Sequence, residues 1–274
     1  MTRGDGDRMV RCGQGHEHWG EHGAAGLLPV ADGHVLLQQR GGGISGSGTW
    51  GMFGGARDSH EDTITAALRE AAEESTLDPT LVRPFGVLVE DHDGWTYETV
   101  LASADERFAV DPVSDETAGV AWVPVDEVTD LPLFGPFAAN WTRLRECLAP
   151  RVLVVDCANV MGSRPDGWWR DRAGAAARLR DRLAAATGFP GLPPFDLAYP
   201  DIILVVEGQA RRTKAVPGVT VVAADHNGDD KIVAVAKDHP GCLVVTADRE
   251  LRTRCTAVGA DHIGPGWLQD LLPD

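Results

Sequence analysis

Apolar residues recur in two rhythms along the chain. Short apolar runs bounded by glycine, proline or aspartate occupy residues 24–29 and 34–39. Separated by Ala31-Asp32-Gly33, they read as the strands of a hairpin. Further strands are expected at 82–90, 97–102 and 120–124, followed by a helical segment at 137–147. Between the hairpin and these strands the period becomes helical. At about 100° per residue, Ile64, Leu68, Ala71 and Ser75 fall within about 40° of one another, while Glu70, Glu73 and Glu74 project from a separate face. One face is expected to pack and the other to coordinate.

The rhythm changes after Leu148-Ala149-Pro150. Residues 151–156 form a continuous apolar run ending in Asp156, the pattern of a strand buried on both faces of a parallel sheet. Similar runs recur at 202–206, 219–223 and 243–246, and Ala176, Leu179, Leu183 and Ala186 mark an intervening helix. Two α/β domains are therefore expected, at residues 1–149 and 150–274. Parallel α/β sheets place their sites at the carboxyl ends of the strands. In the second domain those ends carry Asp156 with Asn159, then Asp229 and Asp230 at a helix start, then Asp248.

Charge separates the halves further. The chain has 274 residues, is 43% apolar and carries a formal charge of −16. Residues 1–149 hold −15 of it and residues 150–274 only −1. Such a balance argues against a protein that coats nucleic acid non-specifically. The second half nevertheless clusters cations at Arg170, Arg172, Arg178, Arg180 and Arg182, and again at Arg211, Arg212 and Lys214. No run of 18 apolar residues occurs and residues 1–8 have no signal-peptide core, so a cytoplasmic chain without a membrane partner is expected. Five scattered cysteines without a C-x-x-C pair suggest reduced thiols. Cys12, His16, His18 and His22 lie close together in sequence, although their spacing fits no standard zinc finger.

Three glutamates on one helical face repel one another unless a cation sits there, and hard divalent cations take such oxygen ligands. The run from Gly54-Gly55 through Glu61 to Arg69-Glu70-Ala71-Ala72-Glu73-Glu74 and Leu77 resembles the box of the Nudix hydrolases, G-x5-E-x7-R-E-U-x-E-E-x-G-U with U apolar. One fixed position departs: Thr76 stands where that family has glycine, which bears on the helix end. Phe53 also replaces the proline that often precedes the box. The resemblance implies an α/β/α sandwich with a mixed sheet. It implies Mg²⁺ or Mn²⁺ held by Glu70, Glu73, Glu74 and the Gly54 carbonyl, with Glu61 auxiliary and Arg69 orienting the glutamates. The expected reaction is hydrolysis of a nucleoside diphosphate linked to some group X. Glu90, Glu98 and Glu116 are candidates for a further ligand or the base, and Glu116 is favoured.

In the second half, V-V-D-C-A-N-V, G-D-D-K-I and V-V-T-A-D-R-E-L-R resemble the NYN branch of PIN-like ribonucleases. That resemblance implies Mg²⁺ or Mn²⁺ held by Asp156, Asp229, Asp230 and Asp248, with Asn159 positioning, and RNA as the partner. Glu207 is expected to line the same edge, Arg211, Arg212 and Lys214 to hold a backbone, and Trp168 and Trp169 to stack on bases. Taken singly, Asp229 and Asp248 are well placed to cap helices, and for either one alone capping is the better reading. Two other readings remain: a nucleotide-sensing first domain controlling a nuclease, and a non-catalytic second domain that only binds partners.

Overall fold

The computed structural model describes residues 4–165 and 167–273; residues 1–3 of the N-terminal segment lie outside the described residues. In chain order the strands of the first half are β1 (Met9–Arg11), β2 (Glu17–Trp19), β3 (Ala24–Ala31), β4 (His34–Arg40), β5 (Trp50–Gly51), β6 (Phe53–Ala56), β7 (Arg83–Asp91), β8 (Thr96–Ser103) and β9 (Thr117–Pro124). Helix α1 (Thr63–Glu74) lies between β6 and β7, and α2 (Gly135–Arg145) follows β9. Then come β10 (Val152–Asp156), α3 (Cys157–Gly162), α4 (Arg172–Ala184), β11 (Phe189–Pro190), β12 (Leu197–Ala198), β13 (Asp201–Val206) and β14 (Val219–Ala223). The chain finishes with α5 (Gly228–Asp238), β15 (Leu243–Val245), α6 (Arg249–Thr256), β16 (Asp261–Ile263) and α7 (Pro265–Leu271). Among the described residues, no helix is long and apolar enough to cross a membrane.

Contacts divide the chain into Met1–Ala149 with Pro190–Ala198, and Pro150–Phe189 with Tyr199–Asp274. In the first unit the main sheet runs β12-β7-β8-β3-β4-β5, with β6 pairing β3 and β9 pairing β4. Strands β3 and β8 are parallel and β7 and β8 antiparallel, giving the expected mixed sheet. A small hairpin, β1 with β2, stands apart from it. It falls in a segment whose polar, glycine-rich composition carries no strand signal.

Helix α1 packs on β3 and β6, but only in part by the face expected, of which Ala71 and Ser75 are buried. Ala66, Ala67, Ala71 and Glu74 are its buried residues, whereas Ile64 and Leu68 are only partly covered. Small side chains let the helix approach the glycines of β6 closely, so the buried stripe follows alanine rather than bulk. Glu74 is thereby carried to the inner side of the helix instead of sharing an outer face with Glu73.

Residues 190–198 complete this unit from far along the chain. Leu197 pairs with Val87, and the Asp196 carboxylate accepts the Val89 N–H at 2.7 Å and Arg143 at 3.2 Å. Phe195 packs edge-on against Phe85 and directly over Gly86, where a Cβ would collide with its ring. The boundary expected at residue 150 puts this stretch in the second domain; its pairing with β7 and the seat of Phe195 over Gly86 assign it to the first unit instead.

The second unit has a five-stranded sheet in the order β14-β13-β10-β15-β16, with every pairing parallel. Its core joins Val154, Ile203, Val205 and Val244 of the strands to Ile232, Val235, Ala236, Leu251 and Cys255 of α5 and α6. From β10 the chain winds outward through β13 and β14, then returns to wind the other way through β15 and β16. That reversal opens a crevice beside the carboxyl end of β10.

Candidate functional site

Each unit gathers carboxylates at the place its fold leaves open. In the first, Asp62 caps α1 by accepting the Thr65 N–H at 2.7 Å, which fixes where the helix starts. Arg69 then spans the acidic residues. Its guanidinium donates to both oxygens of Glu61 at 2.7 and 2.9 Å, to Glu70 at 2.7 Å and to the Ala56 carbonyl at 2.9 Å, and lies 3.7 Å from Glu73. Glu61 is thus an arginine partner first. That contact, chiefly the Arg69 hydrogen bond, holds its carboxyl below the usual range.

Gly54 and Gly55 make room for the rest. Gly54 has φ 157°, and a Cβ there would meet the Ala25 carbonyl at 2.5 Å. A Cβ on Gly55 would meet the Glu70 carboxyl carbon at 2.5 Å, so only glycine lets that carboxylate rest on the strand. The Gly54 N–H donates to Glu74 at 3.2 Å, and Gln38, fully buried, donates its amide to Glu74 at 2.9 Å. Thr117 in turn donates to the Gln38 oxygen at 2.6 Å. Burial pushes Glu74 up to about 7 despite these bonds, and burial also raises Glu70. Glu73 remains the most open of the three, its side chain 44% exposed. Glu61, Glu70 and Glu73 share one arginine while Glu74 is held by Gln38 and the Gly54 N–H, leaving an excess of negative charge that a hard cation would relieve.

The residues after the box divide. Glu98 is taken up by Thr63 and by Arg57, at 3.4 Å from the latter. Glu90 accepts from Asn140 at 2.7 Å. Glu116 is exposed at the start of β9, and its charge is felt by Glu74. Thr76 has no left-handed backbone. Ser75 leaves α1 extended, and Thr76 exchanges hydrogen bonds with Asp111, its N–H donating at 2.8 Å and its hydroxyl accepting at 2.9 Å. An extended exit suits a β-branched residue, which is why the helix ends without the family glycine. Phe53 is wholly buried opposite Leu27.

In the second unit a cavity of about 490 Å³ opens at the carboxyl edge, lined by Asp156, Asn159, Glu207, Asp229 and Asp248 among others. No lysine or arginine lines it among the described residues. Asp156 is 7% exposed and accepts from the Asn159 N–H at 3.0 Å and the Thr246 hydroxyl at 2.9 Å. Asn159 accepts the Ala247 N–H at 2.8 Å, tying α3 to the end of β15. Asp248 caps α6 through the Leu251 N–H at 2.9 Å while still facing the cavity. Burial, then the neighbouring acids, raise Asp156 and Asp229 above the usual carboxylate range.

Asp230 departs from the expected set. Its carboxylate pairs with Arg254 of α6, and it does not line the cavity. One residue further along α5 turns it about 100° away from Asp229. Glu207, just beyond the end of β13, lines the space instead and also accepts the Gly228 N–H at 3.0 Å. Trp169 is 52% exposed, and Trp168 packs beside the cavity-lining Gly162 with Arg172 over its ring. Arg211 is spent on the Ala224 carbonyl. Among the described residues, no three carboxylates of either cluster lie within 4.8 Å of one another.

Comparison with known proteins bears mainly on the first unit. A family model described as the NUDIX domain matches residues 20–144. The chain is 47% identical over 156 residues to a Mycobacterium tuberculosis protein named "Putative 8-oxo-dGTP diphosphatase 3", covering 53% of this chain and 71% of that one. It is 41% identical to a Nudix hydrolase from Mycobacterium smegmatis, RenU, whose structure covers 52% of this chain and 94% of its own at a TM-score of 0.49. Rae1 (YacP) from Bacillus subtilis is similar at 19% identity, covering 43% of this chain and 72% of its own at a TM-score of 0.34.

Proposed function

The chain belongs to the Nudix family, and from that premise we propose that its first unit hydrolyses phosphoric anhydrides of nucleoside diphosphate-linked substrates. The observation that carries this reading is the set Glu61, Arg69, Glu70, Glu73 and Glu74, retained in register, with Glu61, Glu70 and Glu73 around one guanidinium and Glu74 buried under the repulsion of Glu70. Mg²⁺ or Mn²⁺ at Glu70, Glu73, Glu74 and the Gly54 carbonyl would neutralise phosphate charge and lower the pKa of attacking water.

The chain's own groups do the positioning. Arg69 holds Glu70 against β6 and keeps Glu61 from competing with it. Gln38 and the Gly54 N–H aim Glu74, and Glu116 stands in the open, where a general base must meet solvent. Because the M. tuberculosis relative is named for 8-oxo-dGTP, the test panel includes that nucleotide beside ordinary nucleoside triphosphates and sugar diphosphonucleosides. Glu73→Gln is expected to lower turnover of the preferred nucleotide at least ~100-fold, a scale consistent with losing a catalytic electrostatic group. Unchanged turnover in that variant would leave the unit as a nucleotide sensor.

For the second unit we propose a metal-dependent ribonuclease of the NYN/PIN-like kind. The support is the cavity at the sheet's switch point, where Asp156, Glu207, Asp229 and Asp248 converge without a basic residue. Cleavage of a labelled RNA with Mn²⁺ present, abolished by Asp156→Asn and unaffected by Glu73→Gln, is the expected result. RNA left intact by the wild-type chain would leave this unit a partner-binding domain.

A further inference from the structure

The hairpin β1-β2 contributes to neither carboxylate set and brings together donors of another kind. Cys12, His16 and His18 come from the hairpin, and His92 comes from the turn between β7 and β8. Their ligand atoms all lie within 4.8 Å of one another. His22, adjacent in sequence, is not among them; its carbonyl receives two hydrogen bonds from Arg57 at 2.7 and 3.0 Å.

Local geometry explains the convergence. Cys12 and His16 bracket the hairpin turn, the Cys12 N–H donating to the His16 carbonyl at 3.0 Å and Gly15 taking φ 87°. His18 stands opposite Val10. The Gly13 N–H donates to the Asp93 carbonyl at 2.7 Å, which fastens the hairpin turn to the turn bearing His92. Trp95 stacks on His18 with ring centres 4.0 Å apart and planes 10° apart, and its indole N–H donates to the Gly20 carbonyl at 2.8 Å. The rings of His18 and His92 are 4.7 Å apart. Both rings carry a buried nitrogen without a hydrogen-bond partner among the described residues, Nε2 of His18 and Nδ1 of His92. Buried polar atoms in folded proteins are ordinarily satisfied, so these two nitrogens need a partner.

We propose that Cys12, His16, His18 and His92 bind one structural zinc ion. A thiolate with three neutral imidazoles is a donor set zinc accepts in tetrahedral geometry. At ordinary Zn–N and Zn–S lengths the four donors would stand about 3.3–3.6 Å apart, so a cluster already within 4.8 Å contracts by no more than about 1.5 Å. Desolvation keeps the His18 imidazole neutral more readily than a free one, as ligation requires. Four protein donors leave no open position, so the ion pins the hairpin rather than activating water. It would also fix Trp95, which lines a cavity of about 700 Å³ shared with Arg57, Asp58 and Glu61 of the Nudix box loop.

The test uses the full chain and needs no substrate. Purified wild-type protein, dialysed against excess Mg²⁺, is expected to retain ~1 zinc per chain by elemental analysis. Cobalt in its place should give a near-ultraviolet thiolate-to-cobalt band and intense tetrahedral visible bands. Cys12→Ser should remove the first and His92→Ala should lower the retained zinc, while His22→Ala and Glu73→Gln retain it. A wild-type cobalt spectrum without the thiolate band would overturn the proposal whether or not the variants fold. So would zinc retained equally by wild type and a Cys12→Ser, His92→Ala double variant.

Discussion

Glu74 offers the sharpest quantitative prediction, because it is 6% exposed and its carboxyl is pushed up to about 7. An unfolded glutamate titrates near ~4.3, so ionising Glu74 in place costs roughly 3–4 kcal/mol before relaxation is allowed for. The folded value is the higher one, so the folded chain binds the extra proton. Between about pH 4.3 and pH 7 stability must therefore fall as pH rises. Glu74→Gln keeps an oxygen for the Gln38 amide and the Gly54 N–H but cannot ionise, and should lack this component. Urea unfolding of both proteins at pH 5 and pH 8, without added Mg²⁺ or Mn²⁺, isolates it. Glu70 shifts the same way, chiefly by its own burial, and that part cancels in the difference, while its repulsion with Glu74 counts as part of the Glu74 effect. Wild type should lose about 2–4 kcal/mol more than the variant, and saturating Mg²⁺ at pH 8 should restore most of it by favouring the ionised form. Identical pH dependence in the two proteins would refute the assignment of Glu74 as a buried, cation-requiring carboxylate.

Other outcomes follow from single contacts. Gly55→Ala places a Cβ 2.5 Å from the Glu70 carboxyl carbon, so nucleotide turnover should fall by about 10- to 100-fold while thermal unfolding shifts only modestly. Phe195→Ala empties the space over Gly86 and should cost about 3–5 kcal/mol of first-unit stability; a loss under ~1 kcal/mol by denaturant titration would mean residues 190–198 are a loose appendage.

What could be read from the chain depended on how local its cause was. The strands of the first sheet and the parallel second sheet were legible because each strand carries its own burial pattern, as residues 34–40 and 152–156 do, whereas the mixed pairing of the first sheet followed from the family resemblance. The box residues were legible because their spacing is fixed by one helix and one turn. The hairpin β1-β2 was not, since its order comes from Trp95 and the β7–β8 turn some 75 residues away, as in the Trp95 bond to Gly20. The same distance hid His92 behind His22. Residues 190–198 were missed for a like reason: Phe195 has no signal until Gly86 supplies its seat. Helical counting placed Glu73 and Glu74 together, but it weighs bulk, and alanines 66, 67 and 71 set the buried stripe. Asp230 was a matter of one helical step.

The central claim is that carboxylates on α1 hold a divalent ion for phosphate chemistry. Titration of Mn²⁺ followed by electron paramagnetic resonance, with a non-hydrolysable nucleotide present, tests it most directly. Wild type should take up bound Mn²⁺ that a Glu70→Gln, Glu73→Gln double variant fails to take up at the same concentration, with Asp156→Asn in both backgrounds to silence the second unit. Equal uptake by the two proteins would contradict the account.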